Sequence, residues 1–127
     1  MPHFARPIRV LIVDDHPLMR EALAAAVRAE PGFAVAGEAA NGVQALEAYR
    51  QQQPDVVIMD LMMPLRDGVA ATVDILAEDP DARILVLTSA TDDERVLQAL
   101  AAGAHGYLVK EAERSQLLEG VRRVAEG

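Results

Sequence analysis

No cysteine occurs anywhere in the sequence. Its absence removes disulfides, thiolate zinc sites and cysteine nucleophiles together, leaves oxygen and nitrogen groups to carry any chemistry, and fits a reducing, cytoplasmic setting. Long apolar runs are missing as well. Stretches such as Val10-Leu11-Ile12-Val13 fall far short of the roughly 20 residues that cross a bilayer, so no membrane span is expected. The opening Met1-Pro2-His3-Phe4-Ala5-Arg6-Pro7 has neither an extended apolar core nor a small-residue cleavage pattern, and it reads as a short lead-in to a folded unit instead of a secretory signal. The third absence is a basic cluster. Twelve Lys and Arg face twenty Asp and Glu, for a net charge of -8, so this stretch alone offers little to a nucleic-acid backbone.

What is present is enough for one folded domain. The chain has 127 residues, 51% of them hydrophobic and 25% charged, which is the balance of a globular protein and not of a disordered one. Five short apolar stretches, at residues 8–13, 33–38, 56–59, 83–87 and 107–109, have the composition of strands. Segments with helical spacing follow each: Leu18/Ala22/Ala26 with Leu23/Val27, then Val43/Leu46/Tyr49, Val69/Val73/Leu76, Val96/Leu100 and Leu117/Val121/Val124, predicting five amphipathic helices. Asn41 with Gln44, and Thr91 with Glu94, have the spacing of helix caps. Pro17 suits a first helical turn, and Gly32 and Gly103 fall where a helix commonly ends in a left-handed residue. Strict βα alternation predicts an α/β fold: a five-stranded parallel sheet, order 2-1-3-4-5, doubly wound by helices on both faces.

In such sheets ligands bind beyond the carboxyl ends of the strands, where the strand order reverses. The residues at those ends are Asp14 and Asp15 after the first strand, Asp60 after the third, Thr88 after the fourth and Lys110 after the fifth. Two carboxylates about 4 Å apart repel by roughly 4 kcal/mol at an effective dielectric near 20. Such a pocket must take up a proton, admit water or bind a cation. Magnesium fits best, because it takes oxygen ligands, keeps waters, and combines one or two carboxylates with phosphate. An acidic, metal-charged pocket flanked by a lysine and a hydroxyl suits phosphoryl transfer. Asp60 could act there as a carboxylate nucleophile, although this chemistry alone does not say which acid does so. Taken singly, Asp14-Asp15 is an ordinary turn and helix entry, and Thr88 and Lys110 are ordinary strand-end groups. Their shared edge makes the functional case. His3, His16 and His105 are scattered in sequence, and none is assigned to a metal.

Four segments, Val13-Asp14-Asp15-His16-Pro17, Met59-Asp60-Leu61-Met62-Met63-Pro64 with Asp67-Gly68, Leu87-Thr88-Ser89, and Gly106-Tyr107-Leu108-Val109-Lys110, resemble response-regulator receiver domains of the flavodoxin-like, CheY-like fold. The likeness runs from about Ile8 to the end, and its wording is most similar to the NarL/FixJ branch. It implies a single receiver domain over residues 1–127, with a structured core of about 8–126. It implies that Asp60 accepts the phosphoryl group, that Asp14, Asp15, Asp60 and the Met62 carbonyl hold Mg2+, and that Thr88 and Lys110 sense the phosphate. Tyr107 matches the family's switching aromatic. Implied partners are a sensor histidine kinase and a second copy in a homodimer. DNA would be reached only through a helix-turn-helix domain, which usually follows in that branch and is not encoded in these residues. Met62 and Ala90 occupy family positions that govern loss of the phosphoryl group; neither carries a charge or an amide to orient water, so slow self-dephosphorylation is expected.

Three rival functions fit the sequence less well. A haloacid-dehalogenase-like phosphatase would show Asp-x-Asp after its first strand and an inserted cap, where this sequence has Asp-Asp-His and no cap. A flavodoxin-like cofactor binder needs a phosphate-cradling loop after that strand, where two acids would repel phosphate. A receiver-shaped interaction module independent of phosphorylation is opposed by the presence of all five expected site side chains.

Overall fold

Strands covered on both faces need no polar alternation, and the apolar runs at residues 10–13, 56–59 and 84–87 are buried throughout. In the computed structural model, which describes residues 6–89 and 93–127, they belong to β1 (Ile8–Val13), β3 (Val56–Asp60) and β4 (Ile84–Thr88). The remaining strands are β2 (Phe33–Ala39) and β5 (Gly106–Val109). The helices are α1 (Pro17–Ala29), α2 (Gly42–Gln52), α3 (Gly68–Glu78), α4 (Asp93–Ala102) and α5 (Arg114–Glu126). All strands pair in parallel, in the order β2-β1-β3-β4-β5. The expected α/β architecture and strand order are thus observed.

The pleat sends successive side chains to opposite faces, and this divides the core in two. Leu11, Val13, Val57, Met59 and Val86 pack with Ala45, Tyr49, Ala71, Ile75 and Ala99 from α2, α3 and α4. Val10, Ile12, Ile58, Leu85 and Leu87 pack with Leu23, Val27, Leu117 and Val121 from α1 and α5.

Helix faces differ from the sequence reading in three places. Leu18 is 80% exposed, and Val43 and Val73 are also exposed. The buried residues of these helices include Ala24, Ala45 and Ala71 instead. Small side chains let a helix lie close to the sheet, so the alanine-bearing stripe turns inward and a larger residue at another phase is left outside. β4 begins at Ile84, one residue later than expected. Arg83 is engaged elsewhere: its Nη1 donates to the carbonyls of Val124 at 2.8 Å and Ala125 at 3.2 Å, satisfying the end of α5.

The Asn41 cap is present, its side chain accepting from the Gln44 N–H at 2.9 Å, and Pro17 opens α1. Gly32 and Gly103 have φ of 88° and 117°, a region costly for residues with a Cβ. Two caps were not foreseen: the Asp67 carboxylate accepts from the Ala70 N–H at 2.9 Å, and the Gln116 side chain accepts from the Glu113 N–H at 2.9 Å. The expected Thr91 cap lies outside the described residues, as do Asp92 and Ala90.

One polar contact ties α2 to the end of α3. Tyr49, almost entirely buried, donates its hydroxyl to Asp79 Oδ2 at 2.6 Å. Burial, followed by this bond, pushes the Tyr49 phenol well above its usual range. Tyr49→Phe is expected to lower stability by about 1–2 kcal/mol, seen as a reduced urea midpoint at unchanged slope.

Candidate functional site: an acidic pocket at the carboxyl edge of the sheet

Strand register brings the polar residues together. Val13 pairs with Met59, so Asp14 and Asp60 follow on neighbouring strands. Asp60 pairs with Leu87 and Thr88 pairs with Val109, which sets Thr88 and then Lys110 one step further along the same edge. The Lys110 N–H donates to the Thr88 carbonyl at 2.8 Å, extending that pairing.

Asp14 is fully buried. Its Oδ1 accepts from the His16 N–H at 2.8 Å, and its carbonyl accepts from Arg20 at 2.8 Å. Asp60, also fully buried, has Oδ1 3.0 Å from Lys110 Nζ and accepting from the Met62 N–H at 3.2 Å. Asp14 Oδ2, Asp15 Oδ1 and Asp60 Oδ2 are buried without a hydrogen-bond partner. One ligand atom from each of Asp14, Asp15, His16 and Asp60 lies within 4.8 Å of all the others. Thr88 is buried on the same edge, but its hydroxyl donates to the Ser89 carbonyl at 3.2 Å. Tyr107 lies on β5 with its side chain half exposed. The backbone of Met62 meets Asp60, while its side chain is exposed.

A glycine lets the loop after β3 fold back over this pocket. A Cβ on Gly68 would stand 2.2 Å from the Asp60 carbonyl oxygen and 2.6 Å from Leu61 Cα, so the Asp67-Gly68 pair answers to a close backbone approach. Next to it, Asp67 caps α3 with one carboxylate oxygen and pairs with Arg95 of α4 at 3.0 Å with the other.

Comparison with known proteins agrees with this arrangement. The pattern of the response regulator receiver domain matches residues 10–122. The chain belongs to the response-regulator receiver family. The transcriptional regulatory protein LiaR of Bacillus subtilis is 40% identical over 94% of this receiver and 57% of its own length. The chemotaxis protein CheY of Halobacterium salinarum is 40% identical over 91% of this receiver and 95% of its own length. Among solved structures, the signal receiver domain of the regulator NarL from Mycobacterium tuberculosis superposes with a TM-score of 0.92 at 33% identity, covering 97% of this receiver and 99% of that chain. CheY in a complex with CheX, BeF3 and Mg2+ from Borrelia burgdorferi superposes with a TM-score of 0.87 at 30% identity, covering 94% and 90%. Regulators of the NarL and LuxR kind are thus among its relatives, as the resemblance implied. The receiver spans little more than half the length of LiaR and of DegU from Brevibacillus brevis.

The electrostatics of the pocket follow from its burial. Loss of water is the largest influence on the Asp60 carboxyl and raises it; Lys110 pulls it back down, and the Asp14 charge raises it further, leaving it pushed up to about 6. Oxygen donors without partners, held close together, fit a hard divalent cation, and the acidic cluster is consistent with the Mg2+ site of receiver domains. Among the described residues, His16 stands beside the carboxylates although the sequence reading assigned it no role at the site. Its Nδ1 lies 3.1 Å from Asp15 Oδ1 and 3.4 Å from Asp14 Oδ1, and its place directly after the acid pair was the available signal. Among the described residues no helix is long and apolar enough to cross a membrane.

A carboxyl raised above its ordinary 3.8 in the folded receiver stabilises the fold fully below that value, and the benefit is lost as pH rises through about 6. In metal-free buffer with chelator, Asp60→Asn is therefore expected to be more stable than wild type at pH 7.5, by roughly 1–3 kcal/mol. The gap should shrink at pH 4.5. Urea midpoints at the two pH values check this, and a pH-independent gap would count against it.

Proposed function

We propose that this receiver accepts a phosphoryl group from a histidine kinase onto Asp60, and that the resulting charge switches an output or dimerisation surface of a transcription regulator. The observation that carries the reading is the set of buried, unpartnered oxygens on Asp14, Asp15 and Asp60 beside the Lys110 ammonium. Of the Asp60 oxygens, Oδ1 is held by Lys110 and the Met62 N–H, while Oδ2 has no partner. A free oxygen on a fixed carboxylate is oriented for attack on phosphorus. The bond from phosphorus to the kinase imidazole nitrogen breaks as the bond to Asp60 forms, and the nitrogen keeps the electron pair.

Asp14, Asp15, Asp60 and the Met62 carbonyl would hold Mg2+, in keeping with the BeF3 and Mg2+ named for the Borrelia CheY complex. When bound, the ion neutralises charge on the phosphoryl oxygens. Lys110 pairs with a phosphoryl oxygen, and the Thr88 hydroxyl leaves the Ser89 carbonyl to bond another. Movement of Thr88 frees the space into which Tyr107, now half exposed, rotates inward; phosphate thus biases two existing arrangements. DNA is contacted through a helix-turn-helix domain outside these residues, and the switched surface supports a homodimer.

Intact-protein mass spectrometry after incubation with magnesium and acetyl phosphate tests the assignment. A single phosphoryl adduct is expected on wild type and none on Asp60→Asn, and Lys110→Ala should slow its formation by roughly a hundredfold. An adduct of equal stoichiometry on Asp60→Asn would refute the site. Failure of wild type with this donor and with a panel of histidine kinases would leave a phosphorylation-independent interaction module. Once formed, the adduct is expected to decay slowly, because Met62 offers no charged or amide group to orient water. Rapid decay without a phosphatase would contradict that expectation.

A further inference from the structure

His16 supplies the only nitrogen donor in the described four-residue cluster, whose other members are carboxylates. Magnesium has little use for imidazole, whereas zinc takes imidazole and carboxylate together. The spacing is also one that zinc accommodates. Around tetrahedral zinc, with bonds of about 2.0–2.1 Å, neighbouring donors stand about 3.3 Å apart. Nδ1 of His16 is 3.1 Å from Asp15 Oδ1 and 3.4 Å from Asp14 Oδ1.

The carboxylates are more than a cluster of acids. Asp14 and Asp60 are fully buried, and each retains an oxygen with no hydrogen-bond partner. Asp15 Oδ1 likewise has no hydrogen bond, although Nδ1 is close to it. The side chain of His16 is exposed on its outer side, so small rotations of the ring cost no packing. Backbone geometry keeps it close, since its own N–H is bonded to Asp14 Oδ1.

We propose that His16 is a nitrogen ligand that gives the pocket a second metal mode, in which Zn2+ is held by Asp14, Asp15 and His16 and excludes Mg2+. The inference rests on the reading of this pocket as a cation site, and it makes zinc a competitive inhibitor of the switch. His16 has no part in the magnesium mode, which uses oxygen donors alone. His105 is not a rival ligand, because its Nδ1 accepts from the Ile84 N–H at 3.3 Å, at the other end of the strands.

Isothermal titration calorimetry with Zn2+ alone and with Mg2+ alone, on wild type and His16→Ala, tests the proposal. The zinc dissociation constant is expected to rise at least about tenfold in the variant, while that of magnesium changes less than about twofold. Side-chain imidazole NMR adds a direct readout: His16 Nδ1 should show the large shift of direct ligation on addition of Zn2+, and only the smaller shift of a nearby charge on addition of Mg2+. A smaller rise for zinc, an equal weakening of both metals, or an unmoved His16 ring overturns the proposal. Its failure is distinct from that of the magnesium reading, which falls only if wild type does not bind Mg2+ at all.

Discussion

Carboxylate crowding at the end of β1 and β3 is the constraint on which the rest of the structure turns. Asp14 and Asp60 are both fully buried, where an ionised group without compensation is costly. Compensation comes from several directions: Lys110 on one oxygen of Asp60, the Met62 N–H on the same oxygen, and the His16 N–H on Asp14. It is incomplete, and three oxygens stay unpartnered. A fold that keeps such a pocket holds a standing attraction for positive charge, and the Asp60 carboxyl, pushed up to about 6, registers the same imbalance.

The scaffold tolerates this because its apolar packing is elsewhere complete. Valine, isoleucine, leucine and Met59 fill both faces of the three central strands, and the buried polar residues Asp14, Asp60 and Thr88 stand together at their carboxyl ends. Rigid strands fix the spacing of Asp14, Asp60, Thr88 and Lys110 through their register, and the loops contribute groups that can adjust. Gly68 belongs to the same design: the chain after Asp60 turns back so tightly that no Cβ fits against the Asp60 carbonyl.

Charge also links the pocket to its surroundings. Asp67 caps α3 and pairs with Arg95 at the start of α4, so the loop beside Asp60 and the helix beyond β4 share a polar connection. The α1 side is tied differently, by Arg20 reaching the Asp14 carbonyl and Glu38. Polar contacts next to Asp14 and Asp60 thus extend to both sides of the sheet, toward α1 and toward α3 and α4.

Read alone, the sequence determined the alternation of elements, the parallel sheet and its order, and the edge at which Asp14, Asp60, Thr88 and Lys110 stand. These follow from local composition and from the short-range rule that strand ends face the crevice. Only the tertiary structure decided which stripe of each helix turned inward. Leu18, Val43 and Val73 satisfy the helical period, yet the close approach of Ala24, Ala45 and Ala71 to the sheet set the rotation. The same holds for Arg83, assigned to a strand by its neighbours and drawn off by the open carbonyls of α5. His16 is the clearest case at the site. Its identity was visible beside two acids, but the placement of its ring against both carboxylates depends on how the chain turns from β1 into α1, a three-dimensional fact that spacing along the chain does not contain.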